Sequence, residues 1–241
     1  VGTAIISSTD YVMFTGSTET GRTVAGQAGE RLIGFSAELG GKNAMIITGD
    51  VDIDRAVEGA TVGCFANTGQ LCISIERIYV DQAIASTFTD RFAQRVASLQ
   101  LGAEQEYGAE VGALASAAQL EKMTEHVDDA VGKGARVVAG GKARPEIGPF
   151  FYEPTVLAEI TPEMDVYREE TFGPLVSIYP YTSVDDAVDA VNDTEYGLNS
   201  SVYCGDTSKG RKIGERLMSG TVNINDGYSS GWGSLDAPMG G

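Results

Sequence analysis

An α/β fold with a largely parallel sheet is the architecture this sequence predicts, and three observations carry it. Short apolar runs recur along the 241 residues, at Tyr11 to Phe14, Ala44 to Thr48, Arg77 to Val80, Arg136 to Ala139, Leu175 to Tyr179, Ser200 to Tyr203 and Thr221 to Ile224. Between them lie segments whose apolar residues return at helical spacing, and strands separated by helices pair in parallel through crossover connections. Composition allows a core, with 42% hydrophobic and 21% charged residues.

The elements read in order as follows. YVMF runs into the Gly/Ser/Thr-rich turn FTGSTETGRT and a following helix. A helix beginning near Asp54 (DRAVEGATVGCFANTG) ends at Gly69, which leaves Cys72 in a loop before the strand Arg77 to Val80. Ile84, Phe88, Phe92, Val96 and Leu99 mark the next helix; Leu120, Met123, Val127 and Val131 mark another, behind Ser116 and Gln119 at capping-box spacing. Val184, Val188 and Val191 repeat the pattern behind Ser183 and Asp186, and Gly140 to Pro149 reads as a surface connection. The chain starts just before a strand and stops on PMGG, so both ends read as cut.

Charge and cysteine content narrow the function classes. Seventeen Lys and Arg stand against 34 Asp and Glu, a net charge of −17. Such a field disfavours nucleic-acid and anionic-membrane partners. The acidic residues are scattered, which fits a solvated surface, and a salt-rich cytoplasm would be one reason for it. No stretch approaches the ~20 apolar residues of a membrane span, and VGTAIISSTDYV lacks the regions of a signal peptide, so the expected location is cytoplasmic. Cys64, Cys72 and Cys204 form no metal-ligand spacing and are expected as free thiols.

Three stretches carry candidate chemistry. In FTGSTETGRT a strand-to-helix turn would aim backbone N–H groups at an anion such as a phosphate, or form a turn with no ligand at all. Gly16, Gly21, Arg22 and Thr23 approach the nucleotide-triphosphate loop, but Arg22 replaces its lysine and Glu19 puts a carboxylate in the loop. In SAELGGKNAMII, Glu38 precedes the Gly40-Gly41 pair, where backbone permits close approach; a surface glutamate before a turn is the plainer reading. In FANTGQLCISIE, Cys72 sits among Gly and Gln with backbone amides that favour thiolate, whereas Cys64 and Cys204 suit burial. The lone histidine, His126, lies between Glu125 and Asp128 and is expected at the surface or in a local contact, so a cysteine working with a carboxylate is the remaining thiol chemistry.

FTGSTETG, ELGGKN, FANTGQLC and EETFGP (169 to 174), in this order, resemble the aldehyde dehydrogenase superfamily, and so does the 34-residue interval from Glu38 to Cys72. Within it, GQLCISIERIYV, AAQLEKMTEHVDDAVGKGARVVAGG and FYEPTVL are most similar to bacterial and archaeal succinate-semialdehyde dehydrogenases. The resemblance implies an aldehyde dehydrogenase-like α/β fold, with the end of a Rossmann-type cofactor domain over residues 1–40 and most of a catalytic domain over residues 41–241. It implies Cys72 as nucleophile and Glu38 as the base of thioester hydrolysis, and it favours water over coenzyme A as acyl acceptor. Gly16, Ser17, Gly21, Leu39, Glu170 and Phe172 would contact the cofactor, NAD or NADP, with Glu170 on the nicotinamide ribose and Gly16 and Ser17 on the pyrophosphate.

The resemblance also implies a fragment of a homo-oligomeric parent, whose oxyanion asparagine and ribose lysine precede Val1 and whose pairing strand follows Gly241. Ala66 stands where some succinate-semialdehyde enzymes carry an arginine for the substrate carboxylate, and Met239 where the family often has phenylalanine. The loop Gly227 to Trp232 is a candidate wall of the aldehyde pocket. The alternative function is a non-catalytic nucleotide-binding or oligomerising module, or an aldehyde dehydrogenase of different specificity.

Overall fold

The computed structural model describes residues 1–103 and 108–229. The elements run α1 (Gly2–Ile6), β1 (Tyr11–Thr15), α2 (Thr18–Glu30), β2 (Gly34–Glu38), β3 (Asn43–Ile47), α3 (Ile53–Phe65), a 3-10 turn (Ala66–Gly69), β4 (Ile75–Asp81), α4 (Ala85–Ala97), α5 (Ala117–Gly132), β5 (Arg136–Ala139), β6 (Thr155–Ala158), α6 (Asp165–Arg168), β7 (Leu175–Tyr181), α7 (Val184–Asn192), β8 (Asn199–Tyr203), α8 (Thr207–Gly214) and β9 (Thr221–Ile224). β1 and β2 form a small parallel sheet; the other seven strands form one sheet in the order β5-β6-β7-β4-β3-β8-β9. Only β5 in that larger sheet runs antiparallel to its neighbour.

Helices cover both faces of the large sheet, and strand periodicity shows it. In β3, Met45 and Ile47 join a core beneath α3 and α4 with Phe88 and Phe92, while Ala44 and Ile46 face Val188, Val191 and Ile213 of α7 and α8. Successive side chains point to opposite faces, so a strand buried throughout is a strand covered twice. A third cluster packs α5 against β6 through Met123, Val127 and Leu157. Side-chain caps at Ser17, Asp52, Ser116, Ser183 and Asp206 start α2, α3, α5, α7 and α8, each satisfying N–H groups the helix itself leaves open. Among the described residues no helix is long and apolar enough to cross a membrane.

All seven expected strands are present, with β2 and β6 in addition. Two expectations on the helices are corrected. The helix from residue 54 stops at Phe65, four residues early, because Asn67, Thr68 and Gly69 all adopt left-handed backbone at φ 51°, 60° and 66°. On α5 the apolar Val131 faces solvent and His126 is buried in its place. Met239 and the 230–232 part of the Gly227 loop lie outside the described residues.

One buried ion pair joins separate parts of this fold. Lys42, just before β3, donates to Glu76 of β4 at 2.6 Å, with both residues almost fully buried. Glu76 also accepts the backbone N–H groups of Thr171 and Phe172 at 2.9 Å each. Removing one partner of such a pair strands the other charge, so Glu76→Ala is expected to lose about 3–5 kcal/mol in urea unfolding. The double change Lys42→Met with Glu76→Gln is expected to lose less than Glu76→Ala, since no charge is then left alone.

Candidate active site

Cys72 sits in a turn closed by the Ser74 N–H to Leu71 carbonyl bond at 2.9 Å, between the 3-10 turn and β4. The left-handed run before it is held from three sides. Thr68, a β-branched residue in a backbone region that disfavours it, accepts the Gly112 N–H through its hydroxyl at 3.1 Å. Gln70 accepts from the Ala115 N–H at 2.8 Å and donates to the Ala113 carbonyl. A Cβ at Gly69 would overlap the Gly173 carbonyl, so this close approach of the cysteine loop to EETFGP requires glycine.

Asn43 secures the other side of the turn. Its amide donates to the carbonyls of Cys72 and Ser74, both at 2.8 Å, and accepts the Asn199 N–H at 3.0 Å. The Asn199 side chain in turn donates to the Ile73 and Gly227 carbonyls. Cys72 is half-buried; Cys64 and Cys204 are buried.

Glu38, Glu170 and Cys72 converge. Glu38 ends β2 and is exposed. Glu170 is half-buried and accepts the Gly41 N–H at 2.9 Å. A Cβ at Gly40 would overlap the Glu170 carboxylate, and one at Gly41 would meet the Cys72 carbonyl at 2.7 Å. The glycine pair therefore admits two protein groups against the backbone, one of them from a loop more than a hundred residues away in sequence. The electrostatics reverse one expectation. Burial, then the charges of Glu38 and Glu170, push the Cys72 thiol above its ordinary value, while the N–H groups of Cys72 and Ile73 pull only weakly the other way. Loop amides alone do not make the resting thiol a thiolate. Burial likewise raises Glu170, with the Gly41 N–H opposing it.

The FTGS stretch lies at the same end. Gly16 donates its N–H to the Glu38 carbonyl at 3.1 Å, and Thr15 pairs with Glu38 in the β1–β2 register. Ser17 caps α2 by accepting the Thr20 N–H. Gly21, on the first turn, is buried under the Leu39 side chain. Phe172 is half-buried with φ 55°, a backbone held by its N–H bond to Glu76. The eight sequence-predicted residues thus lie on neighbouring segments, from the start of α2 through Glu38 and the glycine pair to Cys72 and the 170–172 loop, with Gly21 buried beneath them.

Lys42, Asn43, Glu76 and Asn199 were not singled out in the sequence. A charged pair, Glu76-Arg77, inside the apolar strand ISIERIYV is the signal that such residues are buried with partners. His126 is a correction. It is 4% exposed, with Nδ1 at 3.0 Å from the Thr171 hydroxyl and Nε2 at 3.6 Å from Glu169. The Thr171 contact spans 45 residues and is neither local nor at the surface.

Comparison with known proteins gives the family. A sequence model of the aldehyde dehydrogenase family matches residues 1–241. The chain is 59% identical over its whole length to a Mycobacterium ulcerans protein named "Putative succinate-semialdehyde dehydrogenase (NADP(+)) 2", of which it covers 46%. It is 42% identical over 212 residues to 3-sulfolactaldehyde dehydrogenase of Pseudomonas putida, a match that takes in 88% of this chain and 43% of that protein. The chain spans about half the length of the curated relatives it matches. Among solved structures, betaine aldehyde dehydrogenase of Staphylococcus aureus in complex with NAD+ matches 94% of this chain and 46% of its own, at TM-score 0.90 and 33% identity. An E. coli NADP dependent enzyme matches at TM-score 0.89 and 38% identity, over 94% of this chain and 47% of its own. Matched from end to end in sequence, and nearly so in fold, the chain belongs to the aldehyde dehydrogenase family.

Proposed function

We propose that the protein carrying this chain oxidises a small anionic aldehyde to its carboxylic acid with NAD or NADP, through a covalent bond to Cys72. The observation that carries this reading is the convergence of one accessible thiol with two carboxylates at the end of the β1-α2-β2 unit. Cys72 sulfur adds to the aldehyde carbon, and the oxyanion so formed lies beside the Cys72 N–H. The thiol proton must leave for this to occur; Glu38, whose charge is felt at the sulfur, is the exposed carboxylate available to take it. That proton passes from Glu38 to solvent; after oxidation Glu38 draws a second proton from water as that water attacks the thioester carbon, and it returns this proton to the Cys72 sulfur as the C–S bond breaks and the acid leaves.

The cofactor fits the residues present. The first-turn amides of a 13-residue helix, capped at Ser17, suit a phosphate. Glu170, held against the Gly40–Gly41 backbone, suits a ribose diol, and Phe172 stands next to it. Gly21 and Leu39 pack together and set the angle of α2. Bound there, NAD or NADP would supply the hydride acceptor that converts the Cys72 adduct to a thioester. Residues 1–40 would then be the end of the cofactor domain and residues 41–241 the thiol-bearing domain of a cytoplasmic homo-oligomer.

Two relatives inform the aldehyde. Succinate semialdehyde and 3-sulfolactaldehyde, in their names, are both short aldehydes with an anionic far end. Succinate semialdehyde is preferred, because the relatives named for it are the more similar.

The full-length protein is expected to reduce NADP or NAD with succinate semialdehyde, and Cys72→Ala to abolish the signal. Silence of the folded wild type across both cofactors and a panel of aldehydes would sink the reading. Glu38→Gln is expected to slow the burst of reduced cofactor, because Cys72 then yields its proton to water alone, and to lower steady turnover further, about 10²–10⁴-fold, the usual contribution of a general base. Steady turnover that falls no further than the burst rate would remove Glu38 from deacylation. Iodoacetamide should label Cys72 ahead of Cys64 and Cys204, with a rate that rises with pH to a midpoint above 9.0. Because a carboxylate charge favours the neutral thiol, Glu38→Gln should move that midpoint down; an unmoved midpoint would place Glu38 away from the sulfur.

A further inference from the structure

α5 presents one face to the loop that carries Glu170. Gln119 donates to the Thr171 carbonyl at 2.7 Å, Met123 packs under Gly173, and His126 meets the Thr171 hydroxyl. These positions, i, i+4 and i+7, lie on one stripe of a helix. Thr171 is fully buried, and its N–H is held from the other side by Glu76. The loop is therefore clamped at Thr171, between a helix and a buried carboxylate, one residue after Glu170 and one before the left-handed Phe172.

We propose that His126 is a positioning residue: its imidazole, reaching under the 169–174 loop to Thr171, sets where Glu170 stands over the Gly40–Gly41 backbone. The inference rests on the reading of Glu170 as a cofactor contact. With its proton on Nε2, toward Glu169, the neutral ring leaves Nδ1 to accept the Thr171 O–H. A protonated ring donates from Nδ1 to the Thr171 oxygen instead, which leaves the buried Thr171 hydroxyl hydrogen without this acceptor. The charged groups facing the ring are Lys42 ahead of β3, Glu76 of β4, Glu169 of the loop, and Lys122 and Asp129 of α5 itself. Burial foremost, with Lys42 and Lys122 added, holds the imidazole below its ordinary 6.5 and so in the neutral, accepting form at neutral pH.

The test is amide hydrogen exchange of residues 169–174 in the full-length protein without cofactor, with calorimetric titration of NADP alongside. His126→Ala is expected to speed exchange in 169–174 about tenfold, the scale of one buried hydrogen bond, while β4 and β7 stay protected. His126→Asn, whose amide oxygen can take the place of Nδ1, is expected to restore protection. The NADP Kd should rise about tenfold in His126→Ala, recover in His126→Asn, and not rise further when His126→Ala is added to Glu170→Gln. Unchanged exchange in 169–174, or exchange raised equally throughout the chain, overturns the proposal. So does a Kd that His126→Ala leaves unmoved.

If His126→Ala does not fold, the wild type decides by pH. A ring held below 6.5 keeps the loop protected at neutral pH and releases it as pH falls below 6.5, after correction for intrinsic exchange. His126→Asn should lack that release; a release that persists in it overturns the proposal. Absence of any NADP or NAD affinity in the wild type would instead defeat the cofactor reading of Glu170, and the exchange data alone would then decide whether His126 positions the loop.

Discussion

The carboxylate of Glu76 accepts three donors inside the protein, from Lys42 and from the backbone of Thr171 and Phe172. A buried charge is tolerated only where its hydrogen-bonding capacity is met, and here the partners come from separate stretches of chain. Burial in the pair pushes Lys42 below its ordinary value, while Glu76 raises it back in part. The consequence is geometric. Lys42 follows the Gly40–Gly41 pair, Glu76 follows Cys72 by four residues, and Thr171 follows Glu170 directly, so one ion pair sets the mutual placement of all three site segments. Phe172 can hold a left-handed φ of 55° because its N–H is spoken for.

A second network supports the thiol from the strand side. Asn43, Asn199 and Asn223 lie on the neighbouring strands β3, β8 and β9, and their amides are joined in series: Asn223 donates to the Asn199 oxygen at 2.8 Å, and the Asn199 N–H donates to Asn43. Between them they take up the carbonyls of Cys72, Ile73, Ser74 and Gly227. A satisfied buried network of this kind resists local rearrangement, since any shift leaves an amide unpaired. From the cysteine turn it uses only carbonyls. The Cys72 N–H, the group an oxyanion would need, stays clear of these bonds.

Much of the fold was legible because the sheet is covered twice, and doubly buried strands read as apolar runs. β2 was missed for the converse reason: GFSAE is half-exposed, begins with glycine and alternates only over the four residues from Phe35 to Glu38. TVLA, directly behind Pro154, gives too short a signal, and α8 is rich in Ser, Lys and Gly. The site was legible as four motifs but not as a network. Cys72, Glu38 and Glu170 stand out by chemistry and order, whereas Lys42, Glu76 and Asn43 act through burial, and burial of a charge is decided by tertiary partners far away in sequence. His126 misled for the same reason: its flanking acids, Glu125 and Asp128, face solvent, yet the ring between them turns inward.

The raised thiol bears on what kind of nucleophile Cys72 can be. Each unit of increase in its pKa lowers the thiolate fraction at neutral pH about tenfold. The loss in reactivity is smaller than that, because a more basic thiolate is intrinsically more nucleophilic, by roughly threefold per unit at the usual Brønsted slope. The two carboxylates add to burial, the main cause of the raised thiol, and the result is a handicap to attack smaller than the loss of thiolate, together with protection against stray oxidants, which also require thiolate. They differ in how they can relieve it. Glu170 is anchored to Gly41, whereas Glu38 stands exposed at a strand end and is the carboxylate proposed to take the sulfur's proton. If Glu38 takes that proton, the charge that opposed ionisation is cancelled in the same step, so the acid that restrains the thiol is also the group that releases it.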